Sequence, residues 1–113
     1  PWEIGKAFDA SAPCGPLVPA SQIGHPTKGR ITLKVNGQIK QDGNLDQMIW
    51  KVPEIIAELS KLFTLAPGDV IFTGTPPGVG AARKPPVFLQ PGDVVEVEIE
   101  NLGTLRNTCT AEG

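Results

Sequence analysis

The dipeptide Asn36-Gly37, set between two runs of alternating polarity, constrains this chain more than any other feature. Ile31, Leu33 and Val35 alternate with Thr32 and Lys34 before it, and Gln38-Ile39-Lys40-Gln41 follows. Both turn residues tolerate the positive φ of a type I′ turn, so residues 30–42 are predicted to form a β-hairpin. The 13 glycines and 12 prolines lie between apolar runs, which favours short strands joined by tight turns.

One segment breaks that pattern. Val52, Ile55, Ile56, Leu59, Leu62 and Phe63 recur with the 3.6-residue period of an amphipathic helix, while Glu54, Glu58 and Lys61 take the other side. Pro53 suits the first helical turn. Pro67-Gly68 then turns the chain into Asp69-Val70-Ile71-Phe72, which reads as a buried strand. The same device recurs at Pro91-Gly92-Asp93, before Val95, Val97 and Ile99 alternating with Glu96, Glu98 and Glu100. The two matches share little else, so they read as a reused turn and not as an internal repeat. Asn101-Leu102-Gly103 should reverse the chain and return Thr104 to Thr108 as a last antiparallel strand. Residues 1–29, with five prolines, should be irregular but ordered. One helix among five or six locally joined strands argues an α+β, mainly β fold with a rolled, barrel-like sheet.

Composition excludes several classes. The apolar fraction of 40% and charged fraction of 19% fit a globular protein, long enough to bury a real core. A net charge of -2 without clustered Lys or Arg argues against nucleic acid or an anionic membrane surface as partner. Apolar runs such as Val70 to Phe72 fall far below the roughly 20 residues that cross a bilayer. Cys14 and Cys109 stand far apart, with no second Cys or His at ligand spacing, and read as free thiols in a reducing, cytoplasmic compartment, a single distant disulfide being the minority reading. The chain opens at Pro1 and reads as a piece of something longer.

Thr73-Gly74-Thr75-Pro76-Pro77-Gly78-Val79-Gly80 places three glycines and two hydroxyls in one loop. Backbone N–H groups of such a loop can hold a carboxylate or oxyanion, with a threonine adding a donor; an ordinary turn is the competing reading. No Gly-Lys-Ser/Thr follows, so it is not a phosphate-binding loop. Lys6, in Gly5-Lys6-Ala7-Phe8-Asp9, could neutralise a substrate carboxylate or enolate, or be a solvated surface charge. Asp9 could orient it or cap a turn. His25, the only histidine, reads as part of a surface loop. Glu96, Glu98 and Glu100 share one strand face that should be solvated, although paired carboxylates are what a hard cation needs.

Taken together, the residues resemble the fumarylacetoacetate hydrolase family. The elements are Gly5-Lys6-Ala7-Phe8-Asp9, Leu33-Lys34-Val35-Asn36-Gly37 with Gln41 after it, Met48-Ile49, Leu65-Ala66-Pro67-Gly68-Asp69-Val70-Ile71, Thr73-Gly74-Thr75-Pro76 with Gly78-Val79-Gly80, and Gly92-Asp93 with Leu102-Gly103. They come in the family's order over nearly the whole chain, and look most like its acylpyruvate or fumarylpyruvate hydrolases. The resemblance implies a mixed β-roll fold, with residues 1–113 as the C-terminal part of one catalytic domain in a homodimeric enzyme. It implies a divalent cation, Mg²⁺ or Mn²⁺ with Ca²⁺ also compatible, that chelates a 2-oxo acid, and hydrolysis of a carbon–carbon bond in a β-diketo acid. Decarboxylation or tautomerisation of a 2-oxo acid is the alternative within the family, and a non-catalytic assembly module the alternative outside it. Lys6 matches the family's active-site lysine; Gly74 and Thr75 match the loop that binds the substrate carboxylate. The family places its metal-binding Glu-x-Glu and Asp, and its His-Glu pair, upstream of the lysine motif. This chain is therefore expected to hold no metal ligands and to be inactive alone.

Overall fold

A computed structural model describes residues 1–112. Four strands form one antiparallel sheet: β1 (Arg30–Val35), β2 (Gln38–Asn44), β3 (Val94–Ile99) and β4 (Gly103–Thr108), in the order β2-β1-β3-β4. The hairpin falls where Asn36-Gly37 places it, with φ of 51° and 81° at the two turn residues. Asn36 also clamps a distant turn: its Nδ2 donates to Asp93 Oδ1 at 2.9 Å, and its Oδ1 accepts from the Val94 N–H at 2.9 Å.

The register explains the two faces. Ile31, Leu33 and Val35 oppose Ile99, Val97 and Val95, and Val97 opposes Leu105, so one face is apolar. The other carries the rows Thr32–Glu98–Thr104 and Lys34–Glu96–Arg106, the second of which alternates charge across the strands. Arg30 forks onto Asp42 through Nε at 3.0 Å and Nη2 at 2.9 Å, which holds the Asp42 carboxyl below the usual range.

Between Leu33↔Gln41 and Lys34↔Ile39 the register slips, leaving Lys40 as an extra residue in β2. Such a bulge takes a backbone carbonyl out of the ladder and bends the strand. The segment Thr73 to Leu89 folds back over the apolar face at this bulge, and a cavity of about 510 Å³ remains between them, bounded by Leu33, Val35, Val95, Val79, Phe88 and Leu89.

Helix α2 (Val52–Leu62) follows the expected period; α1 (Ala20–Ile23) is one turn. The Glu54 carboxylate accepts from the Lys51 N–H at 2.7 Å and caps the start of α2. No helix is long and apolar enough to cross a membrane among the described residues.

Three expectations need correction. Asp69–Phe72 is not a buried strand: the segment joins no sheet, and Val70 and Phe72 are 72% and 79% exposed. A strand needs a neighbour to take its N–H and C=O groups, and no strand among the described residues pairs with this segment. The core expected from length is also missing. No apolar side chain among the described residues is buried, and Trp2, Ile4, Phe8, Ile49 and Leu62 stand open. The sheet has four strands, not five or six, and does not close on itself.

Candidate active-site loop

The loop Thr73-Gly74-Thr75-Pro76-Pro77-Gly78 is fastened to the sheet from one side and open on the other. Its anchor is Gln41, 8% exposed, whose Nε2 donates to Thr75 Oγ1 at 2.8 Å and to the Pro76 carbonyl at 2.6 Å. Arg83 adds a second tie: Nη2 donates to the Lys40 carbonyl freed by the bulge at 2.7 Å, and to the Gly78 carbonyl at 3.3 Å. Gly78 approaches so closely that a Cβ there would lie 2.6 Å from the Lys40 oxygen. With φ of 114° as well, the position accepts glycine alone without strain. Pro76 packs on Gly43, where a Cβ would lie 3.0 Å from the proline ring.

The front of the loop is unoccupied by protein. Gly74 has φ of 97°, and a Cβ there would meet nothing within 4 Å. Thr75 is exposed, and the backbone N–H groups of Thr73, Gly74 and Thr75 make no hydrogen bond among the described residues. Free N–H groups beside a hydroxyl form a site for a carboxylate oxygen.

Lys6 stands in another setting. Its ammonium lies 5.5 Å from the centre of the Trp2 ring, a cation–π distance, and both side chains are exposed. Its N–H donates to the Glu3 carbonyl at 3.1 Å and its carbonyl accepts from Ser11 Oγ at 3.1 Å. Neither Lys6 nor Gly74 nor Thr75 lines either of the cavities found at the sheet and beside α2. His25 is exposed, as expected.

Glu98 of β3 and Glu100 just after it are taken up by bonds to β4 and to the start of β1. Glu98 Oε2 accepts from Thr104 Oγ1 at 3.2 Å, and Glu100 Oε2 accepts from the Arg30 N–H at 3.0 Å. No three His, Cys, Asp or Glu side chains converge among the described residues, so this donor set does not fit a divalent cation. Gln41 and Arg83 were not assigned a role by sequence reasoning. Gln41 stood only as one element of the family pattern, and no local signal marks a side chain that bonds 34 residues away.

Residues 1–110 match the family described as fumarylacetoacetate (FAA) hydrolase C-terminal. The chain belongs to the fumarylacetoacetate hydrolase family. Over 107 residues it is 50% identical to the human protein named oxaloacetate tautomerase FAHD2A, mitochondrial, covering 94% of this chain and 34% of that protein. Its Xenopus laevis counterpart is 51% identical over the same length. The chain thus spans about a third of the length of the curated relatives it matches. Among solved structures, fumarylpyruvate hydrolase from Pseudomonas aeruginosa in complex with Mn²⁺ and pyruvate superposes with a TM-score of 0.89 at 49% identity, over 99% of this chain and 45% of that one. The fumarylacetoacetate hydrolase from Exiguobacterium antarcticum gives 0.91 at 42% identity, over 96% and 39%. These likenesses carry the expected family and its mainly β C-terminal fold.

Proposed function

We propose that the protein carrying this chain hydrolyses a carbon–carbon bond in a β-diketo acid such as an acylpyruvate. The observation that supports it is the glycine loop, buttressed behind by Gln41 and presenting free N–H groups and the Thr75 hydroxyl in front. On this reading Gly74 and Thr75 hold the carboxylate of the 2-oxo acid, and Lys6 supplies positive charge where the oxo oxygen gains negative charge. Water adds its oxygen to the acyl carbon, the bond to the pyruvate carbon breaks, and that carbon takes up a proton. Similarity to a fumarylpyruvate hydrolase bound to Mn²⁺ and pyruvate favours the same substrate class. A divalent cation would draw its ligands from residues outside this chain, in a homodimer, and residues 1–113 would supply the C-terminal part of one catalytic domain.

A second reading is tautomerisation of a 2-oxo diacid, favoured by the 50% identity to a relative named oxaloacetate tautomerase. It asks the same of the loop but needs no attacking water. Assays with the full-length protein separate the two: an acylpyruvate yields two acids by hydrolysis, whereas tautomerisation of oxaloacetate only speeds the interconversion of its keto and enol forms and yields no new acid. Turnover undiminished in Lys6→Ala and Thr75→Val would overturn both.

A further inference from the structure

We infer that Gln41 is a positioning residue that turns the Thr75 hydroxyl into a hydrogen-bond donor toward the bound carboxylate. The inference rests on the proposed role of Thr75 and goes beyond it.

The chemistry follows from hydrogen counting. A threonine hydroxyl has one hydrogen to give and two lone pairs to receive with. Left alone, it can face an anion either way, and only one way attracts. The Pro76 carbonyl 2.6 Å from Gln41 Nε2 can only accept, so the nitrogen end of this side chain must point into the loop. That same nitrogen lies 2.8 Å from Thr75 Oγ1, so its second hydrogen occupies a hydroxyl lone pair. The Thr75 hydrogen cannot then point back at Gln41. It is left for the open side of the loop, beside the N–H groups of Gly74 and Thr75, which make no hydrogen bond among the described residues.

Gln41 is well built for this task. It is one of two buried polar side chains among the described residues, and it is carried on the bulged strand, behind the exposed front of the loop. Arg83 and Gly78 fix the loop at Lys40, one residue from Gln41, so the distance between amide and hydroxyl is set by the sheet. A donor orientation prepared before the ligand arrives strengthens binding without reorganisation.

The test is a double-mutant cycle in the full-length protein, with pyruvate as the probe and its affinity read by calorimetry. Gln41→Met keeps the volume but removes both donors, and should weaken pyruvate about tenfold, in line with a lost hydrogen bond to a charged ligand. Steady-state kinetics should show the loss mainly in KM. In a Thr75→Val background the same change should have almost no further effect, because the hydroxyl it orients is gone. Gln41→Glu keeps the shape but presents acceptors, drawing the hydroxyl hydrogen inward, and should weaken pyruvate more than Gln41→Met does. It serves in the same cycle if the methionine variant does not fold. If Thr75→Val weakens pyruvate but folded Gln41 variants do not, or if they weaken it equally with valine at 75, the inference fails while the loop assignment stands. If Thr75→Val leaves pyruvate binding unchanged, the loop assignment itself fails.

Discussion

The chain makes the same turn twice and gets two different results. At Ala66-Pro67-Gly68-Asp69 and at Gln90-Pro91-Gly92-Asp93, proline precedes a glycine with φ of 95° or 92°, as a type II turn requires. In each, the aspartate carboxylate accepts the N–H three residues back, at 2.7 Å from Ala66 and 2.8 Å from Gln90. After the second turn the chain becomes β3, paired on both sides; after the first it runs on unpaired. The difference lies in what reaches the turn from elsewhere. Asn36 grips Asp93 and Val94, and Cys109 exchanges two backbone bonds of 2.8 Å with Gly92 and Asp93. Nothing comparable holds Asp69 among the described residues. A turn can aim a strand, but only a neighbour makes one.

The largest contrast should appear in hydrogen exchange. In the 113-residue chain studied alone, the amides of Val70 to Thr73 should exchange freely while those of Val94 to Ile99 are protected, and the open apolar surface should bind a hydrophobic dye. In the full-length protein, residues 70–73 should gain protection as the missing neighbour arrives. Equal protection of both segments in the short chain would erase the comparison.

A smaller effect concerns what ties the unpaired segment down. Gly78→Ala should force the loop off Lys40 and cost about 2 kcal/mol or more, seen as a lower Tm in the full-length protein. Smaller still, Gly68→Ala and Gly92→Ala each impose a positive φ on an L-residue with open space around it, an intrinsic cost of about 1 kcal/mol. In the short chain, Gly92→Ala should lower sheet stability, and Gly68→Ala should leave it nearly unchanged.

The smallest effect is electrostatic. The Gln90 N–H, and then the Asn36 amide, hold the Asp93 carboxyl below its ordinary range. Because its folded pKa is depressed, Asp93 contributes stability above its unfolded pKa and loses it as pH falls through the folded one. Asp93→Asn should therefore flatten the acid limb of a stability–pH profile below about pH 4, measured by denaturant midpoints.

What could be read from sequence divides along the same line. The hairpin was legible because Asn36-Gly37 carries its own backbone preference, and α2 because six apolar residues repeat at helical spacing. Asp69–Phe72 misled because its composition suits a buried strand while no strand among residues 1–112 pairs with it. At the candidate site, the Thr-Gly-Thr-Pro motif marked the loop; Lys6 had two open readings on its chemistry, and only family resemblance favoured the active-site one. The Gln41 and Arg83 ties were invisible, since bonds spanning 34 and 43 residues leave no periodic trace.

The extra residue at Lys40 has one more consequence. Because Arg83 docks on a carbonyl that exists only where β1 and β2 fall out of step, the loop's landing place depends on the count of residues between Gly37 and Gln41. That stretch should therefore accept many changes of side chain but no insertion or deletion. Removing one residue would restore a regular hairpin and, by improving it, erase the foothold of a loop far along the chain.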